Sequence, residues 1–142
     1  MPEIVRYNGE ILAIFIRHEP SLEGINFITP SSFSQQVAQM RHPAGKTIAP
    51  HIHNHVVREV VITQEVLIIK SGKLRVDLYD DQRNYVESRI IGAGDAVLLA
   101  SGGHGFKILE DIDMIEVKQG PHVGETDKTR FTPVGDQIII VK

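Results

Sequence analysis

Short runs of alternating or continuous apolar residues, each ended by a turn signal, fill most of this chain. Residues 3–18 carry Ile4, Val5, Ile11, Leu12, Ile14 and Ile16 on either side of Asn8-Gly9. Asn-Gly between apolar runs predicts a β-hairpin. Pro20 to Gly24 reads as a turn, and Ile25–Ile28 as a short strand stopped by Pro30. Ser34–Met40 reads as a strand because His42-Pro-Ala-Gly45 follows and would break a helix. Val60–Thr63 and Val66–Ile69 are apolar and β-branched, bounded by Ser71-Gly72. From Lys73 to Tyr79 the alternation is clean, with Leu74, Val76 and Leu78 on one face and Lys73, Arg75 and Asp77 on the other.

Further strands are expected over Tyr85–Ile91, Ala96–Leu99, Phe106–Leu109 and Met114–Val117. Gly92–Asp95, Gly102–Gly105 and Glu110–Asp113 would be the turns between them. Gln137–Val141 reads as a last apolar strand, and Pro121–Pro133 as a long polar loop able to cover a barrel opening. No long segment has the helical period. At least eight short strands at regular spacing predict an antiparallel sandwich or barrel. No linker, repeat or low-complexity stretch interrupts residues 1–142, so a single domain is expected.

Composition narrows this picture. Hydrophobic residues make up 42% of the 142, charged residues 23%, and the formal net charge is −3. Those are values of a globular domain large enough to bury a core. No basic face is implied, and nucleic acid is not an expected partner. The chain has no cysteine, so any metal would be held by His, carboxylate and water. No apolar run approaches a bilayer span and the N-terminus lacks a signal-peptide pattern, so a cytoplasmic protein without membrane contact is expected.

The candidate chemistry begins at Gly45-Lys-Thr-Ile-Ala-Pro-His51-Ile-His53. On a strand, His51 and His53 would point the same way, about one metal site apart. Joined by a carboxylate and a distant histidine, such a pair suits Zn, Fe, Mn or Ni. Two carboxylates follow, Glu59 and Glu65, and then Gly94, Gly102 and His104.

At these residues the chain resembles the cupin superfamily, over roughly residues 34–119. The family's first motif, G-x5-H-x-H-x3–4-E-x6-G, is matched by Gly45, His51 and His53, then by Glu65 and Gly72. Asn54 to Gln64 stands as an insertion between the halves. The second motif, G-x5-P-x-G-x2-H-x3-N, is matched by Gly94 and Gly102. Ala100 replaces its proline, His104 comes one residue early, and no asparagine follows.

The resemblance implies an all-β, double-stranded β-helix (jelly-roll) barrel, with residues 120–142 as a C-terminal loop and strand. It implies one divalent metal ion held by His51, His53, Glu65 and His104, with a position left for water or substrate. Strand alternation separately places Glu65, Leu67 and Ile69 on one face. A second register, with His53, His55 and Glu59, would lose both motif glycines, and Val66 would stand at a turn inside an apolar run.

The resemblance further implies a small-molecule ligand, with a sugar or sugar-nucleotide substrate in an isomerase- or epimerase-like reaction. A non-catalytic binding module or sensor, or a metal-dependent dioxygenase, are the alternatives. His55, Glu59 and Tyr85 are the remaining candidate proton carriers. Arg58 and Lys107 could bind an anionic group, as could backbone N–H groups at Gly102-Gly103. His18, His42 and His122 read as turn histidines, with His122 able to line the barrel mouth. Apolar residues on both faces of Val66–Ile69 and Ile138–Val141 predict a homodimer.

Overall fold

The computed structural model describes all 142 residues. It is all-β, with strands β1 (Glu3–Tyr7), β2 (Glu10–Ile16), β3 (Gly24–Phe27), β4 (Ala38–Arg41), β5 (Glu65–Tyr79), β6 (Tyr85–Gly92), β7 (Ala96–Leu99) and β8 (Gly103–Lys118). No helix is long and apolar enough to cross a membrane. The chain divides into two compact units, Met1–His18 with Thr63–Lys142, and Glu19–Ile62.

The first unit is one strongly curled antiparallel sheet, a half-barrel. Its order is β1-β2-β7-β5-β6, with β8 on the second edge of β5. The β1–β2 hairpin closes through Asn8 and Gly9, at φ 51° and 80°, as a two-residue hairpin turn demands. Strand β5 organises the rest. On one side its first residues pair with β7 and its last with β6, while β8 runs along the other. The inner face carries the core, which includes Val5, Phe15, Leu67, Ile69, Leu74, Val76, Leu78 and Val97.

Three expectations are corrected here. Ser71-Gly72 and Glu110–Asp113 do not end strands, because β5 and β8 run through them. The β5–β8 pairing shifts register between Ile69 and Ser71, Ser71 and Lys73, and Lys73 and Leu74. These bulges bend the ribbon where turns were expected. Gly72 sits at φ 91°, and a Cβ there would collide with the Asp111 carbonyl oxygen. Only glycine fits that crossing.

The Gln137–Val141 strand is also corrected. A 3-10 turn covers Asp136–Ile138, followed by a single parallel bridge between Ser88 and Val141. Side chains do much of the anchoring. Asp136 accepts from Arg75 at 3.2 Å and Lys107 at 2.9 Å, and Tyr85 Oη accepts from Ile140 N at 2.8 Å. The Pro121–Pro133 loop crosses the surface with Phe131 edge-on to Tyr79 at 5.0 Å between ring centroids.

The second unit holds the β3–β4 hairpin. The hydroxyl of Thr29 supports it, donating to Gln36 Oε1 at 3.0 Å and accepting from Val37 N at 3.1 Å. The third correction lies here. Residues 45–53 form no strand, and neither do residues 60–62 of this unit nor Thr63 of the other. Pro50 lacks a ladder donor, and residues 51–62 are exposed throughout.

Candidate functional site

Glu65 is the first residue of β5. Alternation sends it inward with Leu67 and Ile69, both core residues, and its side chain is only 12% exposed. His104 is the second residue of β8 and lies opposite the core residue Leu78, so it too faces inward. Along the ribbon these residues are far apart, since Glu65 is opposite Lys118 and His104 opposite Leu78. A flat strand would separate Glu65 from Leu78 by about 40 Å at the usual rise per residue. In the curled sheet His104 Nε2 stands 3.6 Å from Glu65 Oε1, an ion-pair distance.

A third group joins them that sequence reading missed. Glu116 on β8 is opposite Leu67 and therefore on the same inner face. Its carboxyl hydrogen-bonds to that of Glu65. The His104 imidazole holds the Glu65 carboxyl down to about 2, helped by Glu116 and Lys118 against the effect of burial. Glu116 moves the other way, raised by its hydrogen bond to Glu65 and by burial, with Lys118 and Lys128 opposing. The result is an ionised carboxylate beside a carboxyl that keeps its proton more readily, a division set by environment. The alternation of Met114 and Glu116 puts both on one face, but only the β8-to-β5 register shows which face and which partner.

His51 and His53 lie in the second unit. Their rings meet edge-on, with centroids 5.3 Å apart and planes at 73°. His51 Nδ1 lies 3.0 Å from the Ala49 carbonyl oxygen. Both are exposed, as are His55, Arg58 and Glu59. No set of three or more His, Cys, Asp or Glu side chains converges closely enough to hold a metal ion.

The remaining candidates have structural roles. Tyr85 Oη is bonded to Ser88 Oγ at 2.7 Å and to the Ile140 backbone, and Lys107 pairs with Asp136. Close packing accounts for Gly102 and Gly103. A Cβ on the first would meet the Tyr79 carbonyl oxygen, and on the second the Phe131 ring at 2.8 Å. The His18 ring packs against Gly94.

Scans against protein-family models, curated proteins and solved structures return no match to this chain.

Proposed function

We propose that this protein is a metal-dependent cupin acting on a small molecule, with a jelly-roll barrel and the ligand set His51, His53, Glu65 and His104. One observation carries the reading: Glu65 and His104, remote in sequence and along the ribbon, come within 3.6 Å of each other. The donor chemistry fits. A carboxylate held ionised at the head of an apolar face, beside an imidazole, offers negative charge to a cation. Paired with imidazole nitrogen it suits Zn, Fe, Mn or Ni.

His51, His53, Glu65 and His104 would hold a divalent ion, which would supply Lewis-acid chemistry toward a substrate carbonyl or hydroxyl. The chain's own groups do the rest. Glu65 stays ionised beside His104, and the Glu116 carboxyl on the same inner face, raised by its hydrogen bond to Glu65, gives up its proton less readily than a free carboxyl. A carboxyl so placed can donate to, or take a proton from, a bound molecule.

The test is metal affinity by competition with a chromophoric chelator. Glu65→Gln is expected to weaken binding by roughly 10- to 100-fold, at least what lost supporting partners cost. Glu59→Gln is expected to leave it unchanged. The opposite pattern would reject this ligand set in favour of the His53, His55 and Glu59 register. Metal binding without turnover of any sugar phosphate, nucleotide sugar or oxidisable small molecule would make the protein a binding module.

A further inference from the structure

We infer that two copies of this chain join edge to edge along β8, in antiparallel register, and continue one sheet across a two-fold axis. This surface differs from the faces of Val66–Ile69 and Ile138–Val141 to which the sequence pattern points.

Strand β8 is the long open edge of its sheet. It pairs with β5 on one side, and no strand or loop backbone bonds to the other. The far margin of the sheet is occupied. There β6 receives Val141 in a parallel bridge, and Arg89 of β6 reaches Glu3 of β1 at 2.6 Å. Along β8 every second residue therefore turns its N–H and C=O outward without a strand partner, a template for another strand. The side chains match that openness. Phe106 is 39%, Ile115 47% and Val117 43% exposed, covered from the β5 side and open on the other.

Gly105 is an independent sign that the missing neighbour is a backbone. It takes no positive φ, and it lies away from the register shifts of the β5–β8 pair. A Cβ there would meet nothing within 4 Å. No turn, bulge or close packing inside the chain calls for a glycine at this point. A glycine inside a strand then marks the close approach of another backbone.

The sequence of β8 fits a second copy of itself. A two-fold axis sets odd residues opposite odd and even opposite even, so both inner faces stay on one side. With the axis at Glu110, Lys107 stands opposite Asp113 of the partner subunit, and Phe106 opposite Met114 of the partner subunit. Gly105 then faces Ile115 of the partner subunit, and His104 faces Glu116 of the partner subunit. The regular arms pair, and the bulged stretch stays at the centre. Lys107 and Asp113 are 50% and 62% exposed, so both can reach across. The like charges at Glu110 are offset by Lys73 of the same chain, at 3.2 Å. Centring the axis on Asp111 or Ile112 would set Lys107 against Ile115 or Val117, and centring it on Leu109 would run the arms into the bulges. Charge complementarity thus selects one register.

The experiment measures the dimer dissociation constant of the full chain by sedimentation. The parent is expected to be a dimer at micromolar concentration. Lys107→Asp and Asp113→Lys should each weaken it by at least about tenfold, since each substitution acts twice at a two-fold interface. The double variant should recover most of that loss. Within one chain the two residues are about 20 Å apart at the usual rise of a strand, so only contact between copies restores it. Amide exchange of the parent gives a readout without substitution: protection at 104–107 and 113–116 should rise with protein concentration. A monomer throughout the micromolar range overturns the inference. So does a dimer that both single reversals leave intact, which would place the contact on another face, or a double variant no stronger than the singles. If a reversal prevents folding, exchange decides, and β8 protection independent of concentration overturns the inference.

Discussion

Glu65 and His104 are held in a different way from His51 and His53. The first pair stands on hydrogen-bonded strands, is partly buried, and meets only because a long ribbon curls. The second pair stands on an exposed irregular segment, two residues apart, with His51 Nδ1 near the Ala49 carbonyl. The first geometry belongs to the sheet as a whole. The second belongs to a few backbone torsions. A change deep in the sheet should therefore disturb Glu65 and His104 while sparing the histidine pair, and its effect should scale with how much of the curl it removes.

The largest effect is expected from Gly72→Ala. A left-handed torsion and a collision with the Asp111 backbone should together cost about 3 kcal/mol. Urea unfolding measures the loss. Histidine ring signals in NMR should move for His104 and stay in place for His51 and His53. A variant as stable as the parent, with His104 unmoved, would mean that the bend at Gly72 does not hold the pair together.

A smaller effect is expected one residue before Glu65. Gln64 is 5% exposed. Its Nε2 donates to the Ala100 carbonyl at 3.3 Å, and its backbone N–H donates to Gln119 Oε1 at 2.9 Å. Gln64→Ala removes the side-chain bond from a buried setting and should cost roughly 1–2 kcal/mol. The His104 signals should shift slightly. Equal movement of His51 and His53 would erase the contrast between the pairs.

The smallest effect concerns Glu3, an ionised carboxylate held by strand register elsewhere on the inner face. It accepts from Arg17 Nε at 2.9 Å and Arg89 Nη1 at 2.6 Å. Its carboxyl is lowered first by the Arg17 hydrogen bond and then by the charges of Arg17 and Arg89, against burial. A depressed folded-state value stabilises the protein above the ordinary carboxylate range and loses that contribution as pH falls through it. The stability gap between the parent and Glu3→Gln should therefore be present at neutral pH and close in acid. Its size should stay below about 1 kcal/mol, because the side chain is 36% exposed and screened by water. A gap that widens in acid would refute this account.

Much of the fold was legible in particular residues. Asn8-Gly9 announced the first hairpin, and Leu74, Val76 and Leu78 announced a buried face. The inward placement of Glu65 with Leu67 and Ile69 followed from alternation alone. Gly45, Gly72, Gly94 and Gly102, selected by motif spacing, all take positive φ. The continuity of β5 and β8 was not legible. A glycine or a polar cluster can close a turn or bend a bulged strand, and only the partner strand decides between them. The run Val60–Ile62 was misread for a related reason. Val60, Val61 and Ile62 have strand-forming side chains, but β-propensity describes fit to a packed, paired surface, and no strand pairs there.

What the sequence by itself determined is local: the period of two, the hairpin turn, the donor types available without cysteine, and the face on which Glu65 stands. Each depends on residues within a few positions of one another. The tertiary structure alone decided that His104 comes to Glu65, that Glu116 joins them, and that Phe106 and Ile108 stay open beside them. Those outcomes depend on register and curl, which accumulate over many residues of two paired strands from twist and successive bulges. No short stretch of sequence contains that sum.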